Sequence, residues 1–296
     1  MDTDATAGLL LDQELGPRTE TALRARRFLG PARRVAAALR RPAVASAGMI
    51  VTAAILPAIL LALWQLVAVR EWVSPLILPP PAMVCQTLRE LWGDGTILSN
   101  LGVSAIRVAK GFGLGAFVGL SLGTAFGLSS SFRSYVQPTV LAVYQVNVMA
   151  WIPLLILVFG IDEPLKTAAI TYSAALPVTL NTAKGIAGIP AKWFELARVH
   201  QLPRLEVIWK IAIPAALPAL FTGLRAGLGA AWMSLVVVEL IASSEGVGFM
   251  VVWGRQLFQL DVVIAAIVVI GVVGLGLDLV LNAAERRLRR WQRAAF

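Results

Sequence analysis

An all-α, polytopic membrane bundle of about six transmembrane helices is the fold class this sequence predicts. Three observations predict it. Of its 296 residues, 58% are hydrophobic and only 15% charged, whereas soluble domains run nearer about one-half apolar and about one-quarter charged. Apolar runs of membrane-spanning length recur along the chain, and the mean hydropathy is +0.77. The basic residues gather at the margins of those runs. Lipid headgroups and translocation bias account for a net charge of +9 in that arrangement, so it does not call for nucleic acid. Cys85 is the only cysteine and His200 the only histidine. An internal disulfide is excluded, and so is a thiolate or imidazole metal cluster within one chain.

The first span is expected over residues 47–69. It has 23 residues with Gln65 its only strongly polar side chain, and reaches roughly 34 Å as a helix. Before it lies a tail, 1–46, with eight arginines and five acidic residues. Its acids are unlike a transit peptide, and the first apolar run is too long for a signal-peptide core, so no cleaved signal is expected. Residues 23–39 read as a basic amphipathic helix on the lipid. Further spans are placed at 103–128, 136–159, 165–186, 215–242 and 262–283, followed by a basic tail at 284–296. Six spans put both termini on one side. Nineteen lysines and arginines fall on that side and four (Arg70, Arg89, Lys166, Arg255) on the other. The positive-inside bias therefore places both termini and a 187–214 insert in the cytoplasm.

Pro79, Pro80 and Pro81 stiffen the segment after the first span and end any helix before them. Residues 82–92 then read as a short amphipathic helix on the outer surface, with Val84, Leu88 and Leu91 on one face. In the next span Gly111, Gly115, Gly119, Gly123 and Gly127 recur every four residues. Bare stripes of this kind let helix backbones approach closely, which predicts a tight seam within the subunit or across a dimer axis. Arg107 and Lys110 stand near the outer end of this span, where long basic side chains snorkel.

The 187–214 insert is long for a connector. Pro190 suits a first helical position, 192–200 supply two turns, Pro203 interrupts, 205–211 resume, and Pro214 enters the next span. Trp193, Phe194, Leu196 and Ala197 give the first helix an apolar patch in water, which fits a partner surface or a helix lying on the membrane.

From Glu195 to Pro214 the chain reads E-L-A-R-V-H-Q-L-P-R-L-E-V-I-W-K-I-A-I-P. This resembles the E-A-A-x3-G-x9-I-x-L-P loop of permease subunits in bacterial ABC importers. Glu195 and Ala197 hold the first and third positions, and Ile211 and Pro214 are in register. Gln201 stands where the family has glycine, with Pro203 expected to supply the break, and Ile213 replaces leucine. The stretch from Gly223 to Trp232, G-L-R-A-G-L-G-A-A-W, is similar to that of alkanesulfonate, taurine and nitrate permeases of the type I importer fold. So are Glu239-Leu240-Ile241, Gly246-Val247-Gly248-Phe249, the 74–81 proline segment and the loop at 159–166. The family's R-x-V-P-x-x-A-x-x-P pattern is altered here: Tyr144 and Asn147 replace its arginine and first proline.

The resemblance implies a transport pathway made by two permease subunits, a homodimer being the simplest case. It implies two ABC ATPase subunits beneath and a periplasmic or lipid-anchored binding protein above. The insert would dock on the ATPase as a coupling helix, through Trp193, Phe194, Glu195, Leu196, Ala197, Arg198, Gln201, Pro203, Ile211 and Pro214. ATP and magnesium would belong to the ATPase, since this chain has no G-x4-G-K-[ST] loop. No cofactor is expected on the permease itself.

An arginine inside a span costs about 2.5–3.5 kcal/mol and faces protein or water. Arg225 shares a helical face with Gly229, Trp232, Val236, Glu239 and Ser243. Arg225 and Glu239 are some 21 Å apart along it. That face is expected to line the pathway, or else each charge is paired with a neighbouring helix. Tyr144, Gln145, Asn147 and Asn181 are placed toward the same cavity, or act as interhelical glue. The function expected is ATP-driven import of a small organic anion, foremost a sulfonate such as taurine. The same scaffold for nitrate, bicarbonate or a pyrimidine precursor is the alternative. An ion-coupled secondary transporter would need intramembrane carboxylates, of which Glu239 and Asp278 are the candidates. A membrane enzyme lacks paired carboxylates in a span.

Overall fold

A computed structural model describes residues 55–295. The 1–46 tail, the amphipathic 23–39 stretch and the start of the first span lie outside the described residues. Helix α1, Ile55–Val69, belongs to a unit separate from the rest of the chain and is apolar on nearly every face.

In the second unit, α2 (Pro81–Gly93) starts where expected. Pro80 is extended and Pro81 occupies the first turn, where a missing N–H is harmless. Leu88 and Leu91 pack against Ile97, Met250 and Ala266. Gly95, at φ +80°, turns the chain into α3, Thr96–Leu128, which begins a full two turns before the expected span.

The glycine stripe of α3 meets α6 (Glu163–Ala187). A Cβ on Gly111, Gly115, Gly119, Gly123 or Gly127 would collide with Ile170, Ala174, Val178, Thr182 or Ile186 respectively, each 2.5 to 2.7 Å away. Both helices advance four residues per step, so the two ridges mesh over five consecutive turns. The Thr171 hydroxyl donates to the Gly111 carbonyl at 3.1 Å, a further sign of close backbones. The seam lies within one chain.

The expected span at 136–159 is not one helix. α4 (Ser130–Tyr144) and α5 (Val148–Phe159) are bent by 90° at residues 145–147. Asn147 leaves helical geometry and its side chain accepts from Met149 N at 2.9 Å, starting α5 as an N-cap. Tyr172 of α6 holds the bend: its hydroxyl lies 2.7 Å from both the Val143 and Val146 carbonyls and accepts from Trp151 Nε1 at 3.2 Å.

The insert forms α7 (Ala191–Val199) and α8 (Arg204–Val207). One π turn, Ile208–Ala212, then leads straight into α9, Ile213–Ala242. Pro214 explains the π turn. It has no N–H for the Lys210 carbonyl, and its ring crowds that carbonyl. Widening the turn lets Ile213 N–H reach the Ile208 carbonyl instead. After α9 comes α10, Val247–Gln256, in a stretch the sequence reading leaves as a loop. α11 runs from Leu260 to Ala295. The basic tail at 284–296 is therefore the end of the last helix rather than a separate segment, as far as it is described.

The main core gathers Val108, Ile170, Ala174, Ala231, Trp232, Leu235 and Val247, with Val269 and Val273 of α11 against it. By length and composition three described stretches can cross a membrane: Thr96–Leu128, Ile208–Gln256 and Leu260–Arg287. The bent α4–α5 pair makes a fourth. α6 has 25 residues but carries Glu163, Lys166, Asn181 and Lys184, which lower its hydropathy.

Gly119→Leu should force α3 and α6 apart and destabilise the protein by at least about 1–3 kcal/mol. Gly113→Leu, where a Cβ meets nothing within 4 Å, should not. Thermal unfolding in detergent checks this, and equal Tm values for the two variants would contradict the seam.

Candidate functional site

Two sites stand out, at opposite ends of α9. At its start, the loop helix α7 exposes an apolar strip. Trp193 is 37% exposed, Leu196 48% and Val199 78%, with Trp209 beyond them at 65%. Lys192 Nζ stands 5.9 Å from the Trp193 ring centre. Glu195 and Arg198 are also exposed, whereas Ala197 is buried and anchors the helix from beneath. Ile189 and Ala212, on either side of the loop, share a core with Ile186, Ala216 and Leu220. Ile211 is half-buried and Pro214 exposed. A cleft of about 730 Å³ separates α7 and the π turn from the corner between α3 and α4, near Gly127 and Ser129.

The loop turns at Gln201, with Pro203 following. Gln201 has φ +50°. Its N–H donates to the Arg198 carbonyl and the Leu202 N–H to the Ala197 carbonyl, each at 3.0 Å. These two bonds are a Schellman motif, whose left-handed residue is usually glycine. The expectation that Pro203 makes the break is corrected accordingly. Gln201 bends the chain itself, and Pro203 opens α8 by accepting from Val207 N at 3.1 Å. A side chain in this backbone region costs about 1–2 kcal/mol. Gln201→Gly should therefore raise thermal stability by about 1 kcal/mol. A fall in Tm for that variant would contradict the turn.

At the other end of α9 lies a buried charge hub that the sequence reading misses. Arg107, expected to snorkel, is 2% exposed. Its Nη1 donates to Glu239 Oε1 at 2.9 Å, to the Glu245 carbonyl at 2.7 Å and to Ser243 Oγ at 3.2 Å. Nε and Nη2 grip the Glu163 carboxylate at 3.0 and 2.6 Å, and Nη2 also reaches Glu245 Oε1 at 3.2 Å. Lys166 Nζ joins Glu163 at 2.8 Å. Glu239 is fully buried. It accepts from Ser104 Oγ at 2.8 Å and from Gly248 N at 2.9 Å. Ser104 Oγ accepts in turn from Val247 N, and Asn100 Oδ1 accepts from Gly246 N at 2.7 Å. Gly246 has φ +109°, and the Glu239 carboxylate fills the space a Cβ would need. The G-V-G turn thus wraps the carboxylate. A signal for this hub was present in the sequence: Ser104, Arg107 and Val108 continue the face of the glycine stripe.

On the expected pathway face of α9, Trp232 and Glu239 are buried and Arg225 is partly covered, while Gly229 is exposed. Arg225 donates through Nε and Nη2 to Asp278 at 3.0 and 2.9 Å, and through Nη1 to Glu285 at 3.1 Å, so it clamps α9 to α11. Thr222 Oγ1 donates to Glu285 as well. Trp232 is 4% exposed, against Gly274 of α11. Of the two readings offered for Arg225 and Glu239, the geometry has each paired with a neighbouring helix. Asn181 donates to the Pro177 carbonyl of its own helix at 2.8 Å, next to Gly223. Tyr144, Gln145 and Asn147 collect at the α4–α5 bend. Tyr144 stacks on Tyr172 with ring centres 4.6 Å apart, while Gln145 and Asn147 are exposed. Among the described residues, no hydrogen bond or ring contact joins this group to Arg225, Trp232 or Glu239.

Residues 96–290 match the family described as binding-protein-dependent transport system inner membrane component. A putative aliphatic sulfonates transport permease protein of Bacillus subtilis (strain 168) is 40% identical over 238 residues, 80% of this chain and 86% of that protein. The taurine transport system permease protein of Escherichia coli (strain K12) is 35% identical, over 79% and 87%. A bicarbonate transport system permease protein of Synechococcus elongatus is 32% identical over 63% and 68%. Among solved structures, an inward-facing methionine ABC transporter matches with a TM-score of 0.55 at 15% identity, over 62% of this chain and 92% of that one.

Removing the hub's cation should be costly. Arg107→Ala leaves Glu239 buried without its partner and should destabilise by about 3–5 kcal/mol. Adding Glu239→Gln should restore part of that loss. The cycle is read from thermal unfolding in detergent, and an Arg107→Ala variant within about 1 kcal/mol of wild type would contradict the hub.

Proposed function

The chain belongs to the family of binding-protein-dependent transport system inner membrane components and is an ABC importer permease, a multi-pass transport subunit rather than an enzyme; on that premise we propose that it carries a small organic anion, foremost a sulfonate such as taurine or an alkanesulfonate. The substrate reading is supported by relatives named for aliphatic sulfonates and for taurine at 40% and 35% identity. Bicarbonate transport, named for a relative that matches less of the chain, is the alternative.

In this reading two copies of the chain form the pathway, two ATPase chains bind beneath, and a binding protein delivers from the outside. Nucleotide and magnesium sit on the ATPases. The termini and the 187–214 loop are cytoplasmic. The observation that carries the mechanism is the exposed strip of α7, followed through the hydrogen-bonded Gln201 turn, α8 and the π turn by a 30-residue helix. α7 is then the coupling helix: Trp193 and Leu196 seat on the ATPase, and Glu195 and Arg198 flank them. A helix of 30 residues reaches roughly 45 Å, so displacement of α7 is delivered to the hub end of α9. The cleft beside α7 gives that movement room. Tyr144, Gln145, Asn147 and Asn181 face the pathway. Irregular backbone at membrane depth is tolerated only against protein or a water-filled cavity, which favours the α4–α5 bend as part of the lining. Arg225, Trp232 and Glu239 join that lining only after their present partners let go.

The test is uptake into vesicles holding permease, ATPase and binding protein. Taurine or ethanesulfonate should accumulate only with ATP. Leu196→Glu, which puts a charge into the docking strip, should cut both ATPase co-purification and uptake at least about tenfold. ATP-dependent uptake of bicarbonate but of neither sulfonate would move the substrate to the alternative. Undiminished uptake by Leu196→Glu would contradict the coupling role.

A further inference from the structure

We propose that the groove between α2, α3 and α11 is a binding site for an anionic phospholipid, with an acyl chain lying in the groove and the phosphate held by Arg89. The groove encloses about 570 Å³, within the ~300–1,000 Å³ range of small-molecule sites. Its walls are apolar: Ile97 and Leu101 from the first turns of α3, Leu88 from α2, and Val269, Val272 and Val273 from α11. Two side chains break that pattern, and both stand on α2.

Arg89 lines the groove and is exposed. Among the described residues it has no ion pair and no hydrogen-bond partner. Its acidic neighbour Glu90 instead accepts from Gln86 Nε2 at 2.8 Å. A cation beside an apolar slot, with no carboxylate to meet it, is complementary to a ligand whose anionic head continues into a hydrocarbon tail. Trp92, 65% exposed, stands on the same groove. Tryptophan concentrates where headgroups meet the hydrocarbon, which fixes the depth of this end of the groove. Pro81 fixes the start of α2, and the Thr87 hydroxyl, which donates to Asp261 at 2.7 Å, holds α2 against α11, so the slot is built by the fold. A lipid seated here would touch α2, the start of α3 and α11 together. It would brace the hub end of the bundle from outside.

The test is native mass spectrometry of the purified permease–ATPase complex released from detergent. The complex is first incubated with phosphatidylglycerol or with phosphatidylcholine of identical chains. Wild type should retain phosphatidylglycerol in preference. Arg89→Gln should lower its retention about tenfold, the loss of one charge-assisted phosphate contact. Val272→Trp, which fills the slot, should lower retention of both lipids. Val272 is 64% exposed, so neither change enters the packed core. Wild-type phosphatidylglycerol retention by both variants would overturn the site. So would equal retention of the two lipids by wild type. A third arm asks whether another copy covers the groove: with Cys85 changed to serine, a Val272→Cys chain that forms disulfide dimers in native membranes would also overturn the proposal.

Discussion

A guanidinium buried inside an apolar bundle constrains everything around it. Arg107 cannot lose its proton, and without partners its burial would be prohibitive. The chain meets that demand with Glu239 from α9, Glu163 from the start of α6 and Glu245 from the turn before α10. Three regions far apart in sequence, α3, the start of α6 and the end of α9 with the turn after it, therefore meet at one point. The geometry of that turn follows. Gly246 and Gly248 are glycines because the Glu239 side chain stands where their Cβ atoms would be, and Ser104 and Asn100 take up the N–H groups that the turn leaves over.

From this point the scaffold extends in two directions. Along α3 the glycine ridge meshes with α6, giving a close pair of helices with no α3 side chain at the five glycine positions between them. Along α9 one continuous helix connects the hub to the π turn, beyond which α8 and the Gln201 turn lead to α7. A second clamp, Arg225 with Asp278 and Glu285, ties the middle of α9 to α11. On the proposed function these parts divide the labour. The α3–α6 pair is the fixed frame, α9 is the rod, and the two ionic clamps are the points where the rod is held or released. The bent α4–α5 pair, pinned by Tyr172, supplies polar backbone where a cargo must pass.

Much of this was legible in the residues. The glycine ridge showed in its four-residue spacing, because glycine is common in membrane helices but five bare positions in register favour close helix contact. The proline-started α2 was readable because proline acts locally, through its own ring and missing N–H; a split in the loop helix was expected too, but at Pro203 rather than at Gln201. What escaped depends on neighbours or on small local signals. The 136–159 stretch is mostly apolar, and hydropathy does not register a 90° bend. The one local sign was Asn147, a residue suited to capping a new helix. Arg107 was read as a snorkelling side chain because its carboxylates lie 56 and 132 residues away in sequence. Gln201 hid a left-handed turn that glycine would have announced. The basic stretch from 284 was expected as a tail, yet α11 continues through it to Ala295.

The claim at the centre is mechanical: force applied at α7 reaches the Arg107–Glu239 hub through α9. The most direct measurement is an electron–electron double-resonance distance between spin labels at Ile161 and Ser244, which flank the hub, in the assembled complex with and without trapped ATP. If α9 transmits the movement, ATP trapping shifts this distance in wild type, and Leu196→Glu abolishes the shift. An unchanged distance in wild type, or the same shift in the variant, would contradict transmission through this helix.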